Sequence, residues 1–205
     1  MSTNRLDSIE TFDQFGHDHW KALGTLIGGV SSVKAALRHE LKITVQIVKR
    51  LTEPTTFILP ACKKPQRLSD RKDVWMSPNA KKLFGRVTQL TAMKKRSMQR
   101  CDLSVPLGDF DIVDELGGKA TAVTDGVQQM ETDISQLIDS SELHKDGKAN
   151  LSYVFDPEDD EPDLEKRRLL CVLVAWLGSE WLVFCFPVDS DYWDAGSRVL
   201  RATAA

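Results

Sequence analysis

Residues 169–188 read LLCVLVAWLGSEWLVFCFPV, two apolar runs joined by Gly178-Ser179. A two-residue link with glycine first suits a II′ turn, so the stretch is expected to be a β-hairpin. Its register follows directly. Leu177 opposes Glu180 and Trp176 opposes Trp181. Cys171 and Cys185 then point to opposite faces of the ribbon and cannot be bridged to each other. Both runs are apolar on both faces, which places them inside a sheet with cover on each side.

Upstream of the hairpin the sequence DPEDDEPDLE, residues 156–165, reads as an acidic surface loop. Further upstream, Ser77-Pro78 is a strong helix start: serine caps, and proline at the first helical position loses no needed donor. Ala80, Leu83, Phe84, Val87, Leu90 and Thr91 recur at helical spacing, which predicts a long helix over 77–100. Ala120, Val123, Val127, Met130, Ile134 and Leu137 alternate steps of three and four, predicting a second long helix over 119–139. Gly126 weakens that helix without breaking the pattern.

Toward the N-terminus, Leu41–Lys49 alternates apolar and polar residues as a half-buried strand does, and Thr55–Leu59 reads as its partner, closed by Pro60. Before it, apolar residues from Leu6 to Leu37 fall at helix spacing but are interrupted by Gly16 and Gly28-Gly29, so short helices are expected. The fold class is therefore α+β in a single domain over 1–205. It has short N-terminal helices, a small mixed or antiparallel sheet holding the 169–188 hairpin, and two long central helices.

The chain has 205 residues, 41% hydrophobic and 28% charged, with a net charge of −3. That balance is globular, but it conceals a segregation. Residues 63–101 carry twelve Lys or Arg against two Asp or Glu, +10; residues 102–165 carry three Lys against eighteen acids, −15. Charge at this density must be solvated or find partners. One outcome is internal, with the two stretches pairing across neighbouring elements. Another is a polyanion bound by the basic stretch, since lysine and arginine neutralise phosphates and an exposed tryptophan stacks on an unpaired base.

The second outcome gives the functional expectation. It is a non-enzymatic, nucleic-acid-associated accessory protein of bacterial or phage type, or a subunit of a ribonucleoprotein complex, binding RNA or single-stranded DNA. Lys81, Lys82, Arg86, Lys95 and Arg96 would contact phosphates from the helix. Lys63, Lys64, Arg67, Arg71, Lys72 and Trp75 would assist from the loop before it. The alternative is a protein-interaction module of inhibitor, immunity or adaptor type that presents residues 102–165 to a basic partner. The seam of 119–139 is compatible with a homo-oligomer or complex subunit, although such seams more often enter the chain's own core.

Catalytic signals are thin. No G-x-S-x-G, phosphate-loop, dinucleotide or H-E-x-x-H pattern occurs, and no catalytic residue, cofactor or metal is expected. His17-Asp18-His19 is better read as a polar helix start than as a metal site. Asp189, Asp191 and Asp194 at a strand end leave a metal-dependent hydrolase as a further alternative. Four scattered cysteines without a CxxC pair, no signal-like leader and no membrane-length apolar run point to a cytoplasmic setting with no membrane contact.

Overall fold

A computed structural model describes residues 49–123, 125–188 and 192–203. The expected N-terminal helices and the strand over 41–49, apart from Lys49, fall outside them. The hairpin forms as its sequence dictates: β6 (Leu169–Leu177) and β7 (Glu180–Pro187) pair antiparallel, with Trp176 opposite Trp181 and Leu177 opposite Glu180. Gly178 takes φ +67°, a conformation that costs an L side chain about 1–2 kcal/mol.

Around it, β1 (Thr55–Leu59), β2 (Val74–Met76), β3 (Arg96–Asp102), β5 (Asn150–Phe155) and β9 (Arg198–Ala202) complete a mixed sheet. Among the described residues it has seven strands, in the order β1-β3-β9-β5-β6-β7-β2. The β5–β9 and β2–β7 pairs are parallel and the others antiparallel. A separate ribbon pairs β4 (Leu107–Gly108) with β8 (Tyr192–Trp193).

The described helices are short, and 77–139 does not form the two long central ones expected. Helix α1 spans only Pro78–Gly85, with Ser77 Oγ accepting from the Ala80 N–H at 3.2 Å. Its stripe stops after Phe84: Val87, Leu90 and Thr91 lie outside any helix or strand, and the end of the expected helix is β3. There the period is two: Arg96, Met98 and Arg100 share one face while strands β1 and β9 pair on either side. Long-range pairing overrides the local helical spacing. The expected 119–139 helix is also divided, into α3 (Lys119–Ala122) and α4 (Val127–Ile138). Gly126 sits in extended backbone at the N-cap of α4 and breaks the helix, while Asp125 beside it is drawn into an ion pair with Arg96. Helix α2 (Asp109–Glu115) lies between the two stretches expected to be long helices.

Strand alternation sends successive residues to two cores. On one face Val172, Trp181, Val183 and Cys185 pack with α1 and α4, whose Met130, Ile134 and Leu137 enter that core. On the other face Leu151, Tyr153, Cys171 and Val199 pack with α2, α3 and the β4–β8 ribbon. Cys171 and Cys185 thus lie on opposite faces, and all four cysteines are free thiols. No described helix is long and apolar enough to cross a membrane.

Candidate functional site

The charge segregation is largely resolved inside the fold. Arg71 lies 2.7 Å from Asp139 and 2.9 Å from Asp73, and these carboxylates hold its pKa above the ordinary arginine value. Arg96 pairs with Asp125 at 2.7 Å and Asp133 at 3.0 Å. Arg100 pairs with Glu142. Lys82 and Arg86 both reach Glu158, tying α1 to the acidic loop. That loop is mostly exposed, but its first residue, Asp156, is buried and lies 2.8 Å from Arg168. Four of the residues expected to contact phosphate, Arg71, Lys82, Arg86 and Arg96, are therefore engaged by carboxylates.

Three others meet. Arg67, Trp75 and Lys81 line one cleft of about 430 Å³ between the 3-10 turn Leu68–Asp70, strand β2 and helix α1. Strand β2 pairs only with β7 among the described residues, so the cleft opens at a sheet edge. Trp75 is 42% exposed, which is unusual for so large an apolar side chain. Lys81 is exposed and forms no ion pair among the described residues. Lys63, Lys64, Lys72 and Lys95 are likewise exposed and without an ion pair among those residues, but they lie outside this cleft.

Sequence reasoning missed Glu131, which lines the same cleft and is wholly buried. Its Oε1 accepts from the Leu68 N–H at 3.1 Å and lies 3.5 Å from Arg67 Nε, while its Oε2 has no hydrogen-bond partner among the described residues. Burial pushes its pKa above the usual glutamate value, against the Leu68 N–H and the Arg67 guanidinium, which lower it. Arg67 also donates from Nη2 to the Phe84 carbonyl at 2.8 Å. A buried carboxylate and a helix carbonyl thus hold one guanidinium in a cleft that Trp75 and Lys81 also line, Lys81 without an ion pair among the described residues. Such a set suits an anion attached to a flat ring. The available signal for Glu131 was its position four residues after Val127 and three before Ile134, on the flank of an apolar seam.

Of the carboxylates proposed for metal chemistry, Asp194 does not line this cleft. Asp189 and Asp191 lie outside the described residues, as do His17 and His19. No group of three or more His, Cys, Asp or Glu among the described residues is arranged to hold a metal. No protein family, curated protein or solved structure matches the chain. The site is therefore interpreted from its own geometry.

Proposed function

We propose that this chain is a non-enzymatic nucleic-acid-associated protein, an accessory factor or ribonucleoprotein subunit, that holds RNA or single-stranded DNA at the Arg67–Trp75–Lys81 cleft. The observation that carries the reading is that Trp75, 42% exposed at the sheet edge, and Lys81, which forms no ion pair among the described residues, both line one cleft. Phosphate binding needs a cation not already neutralised, and base stacking needs an open aromatic face. Both are present within a few residues of each other. Other exposed lysines of the basic stretch, Lys63, Lys64, Lys72, Lys94 and Lys95, supply a diffuse positive field that favours encounter with a polyanion. The interface is narrower than the whole basic stretch, because its arginines are largely consumed by internal pairs.

The alternative of an acidic surface offered to a basic partner has less behind it. Asp125, Asp133, Asp139 and Glu158 are already held by arginine or lysine. The test is direct titration of labelled single-stranded RNA and DNA with the full chain at low salt. Binding that weakens as salt rises, and weakens further in Trp75→Ala, supports the proposal; absence of binding to either at low salt sinks it.

A further inference from the structure

We infer that the partly exposed aromatic row running from Trp75 through Phe184 to Phe186 is a stacking track for successive bases of a single strand; this deepens the nucleic-acid reading and rests on it. On β7, Trp181, Val183 and Cys185 are buried against the α1–α4 side, so Leu182, Phe184 and Phe186 point to the other face. Trp75 stands in register with Leu182, and its ring lies 5.5 Å from that of Phe184. Phe184 and Phe186 follow at 6.2 Å with planes only 20° apart, and Trp193 continues the row at 6.1 Å. Phe186 and Trp193 sit at the margin of the second core, whereas Phe184, Leu182 and Trp75 belong to neither core. Close by, Leu177 is 65% exposed at the hairpin tip.

Three properties select a single strand as the occupant. The rings are spaced by nearly twice the roughly 3.4 Å rise of a stacked duplex strand, which suits bases drawn apart along an extended backbone. Trp75 lines the cationic cleft at the β2 edge, and its register with Leu182 turns its ring to the aromatic row on the other face, so a strand with a phosphate at Lys81 crosses that edge to reach the first ring. The indole N–H of Trp193 is committed to Asp109 Oδ1 at 2.8 Å. That end of the row consequently offers a ring face without a free donor, which favours sequence-tolerant stacking over base-edge readout.

The experiment is fluorescence anisotropy with labelled oligo(dT) and oligo(U) of increasing length, and with a duplex, on the full chain and on Phe184→Ala, Trp75→Ala and Trp75→Phe. Affinity for single strands is expected to rise with each added nucleotide until the row is filled, and to exceed affinity for the duplex. Phe184→Ala should weaken single-strand binding roughly five- to tenfold with an unchanged salt slope, because stacking releases no counterions. Trp75→Phe should retain most of the binding that Trp75→Ala loses. Circular dichroism and thermal melting of each variant separate a lost ring from a lost fold. Binding that persists with no length dependence, or a correctly folded Phe184→Ala that binds as the wild type does, overturns the track while leaving the nucleic-acid reading standing. Self-association that Phe184→Ala abolishes would make the face a dimer contact and also overturn it. Loss of all oligonucleotide binding in the wild type removes both.

Discussion

Arg96 on β3 grips Asp125 in bidentate fashion, its Nη2 donating to both carboxylate oxygens at 2.9 and 2.7 Å. The same guanidinium donates from Nη1 to Asp133 on α4 at 3.0 Å. One basic residue thereby holds both the break between α3 and α4, at Asp125, and the middle of α4, at Asp133. Removing it leaves Asp133, which is nearly buried, without its cation. Arg96→Ala is expected to destabilise the fold by about 3–5 kcal/mol, the usual cost of breaking a buried pair from one side. Asp125→Ala should cost less, because Arg96 keeps Asp133. Urea unfolding of the two variants measures the order, and a reversed order would refute it.

Burial pushes the Asp133 carboxyl up to about 7, against the opposing pull of Arg96 and Gln129. A carboxyl that binds its proton more tightly in the folded state stabilises most below its unfolded pKa. That contribution is lost as pH rises from about 4 to about 7. The stability advantage of the wild type over Asp133→Asn should therefore shrink across that interval. An advantage that grows with pH would instead mean that the charged pair with Arg96 outweighs burial.

The hairpin was legible because its turn, alternation and length agree, and Trp181 shows the consequence. It is 2% exposed, and its ring meets Trp176 edge-on at 5.1 Å. Trp181→Ala should cost about 3–5 kcal/mol, and Gly178→Val about 1–2 kcal/mol from the strained turn. Thermal unfolding of both variants checks the ranking.

The central helices were misjudged for a different reason. Ala80, Leu83 and Phe84 fit a helix and form one, but Met98 fits a helix seam and a strand face equally well. Only pairing with β1 and β9, distant in sequence, decides for the strand. The site was half legible: Trp75 and Lys81 stood out by type, whereas which lysine remains without an ion pair depends on where Glu158 folds back. Strand β9 gave little warning, with Val199 and Leu200 flanked by arginines in a very short run.

Glu131 ties the cleft to the fold. Glu131→Ala orphans the Leu68 N–H and releases Arg67, and should cost about 1–3 kcal/mol from the unmet hydrogen bond alone. Glu131→Gln can still accept from Leu68 and should be milder. Chemical denaturation distinguishes them, and equal losses would show that the hydrogen bond contributes little.

The adjacent lysines of α1 give the sharpest test of the account. Lys81 lines the cleft without an ion pair among the described residues, while Lys82 is held by Glu158. Single-strand binding should be titrated across salt for the wild type, Lys81→Glu and Lys82→Glu. The account predicts that Lys81→Glu weakens binding several-fold and lowers the salt slope by about 0.7, the share of one phosphate contact, with Lys82→Glu close to wild type. Lys82→Glu weakening binding as much as Lys81→Glu, or no single-strand binding by the wild type, would contradict it.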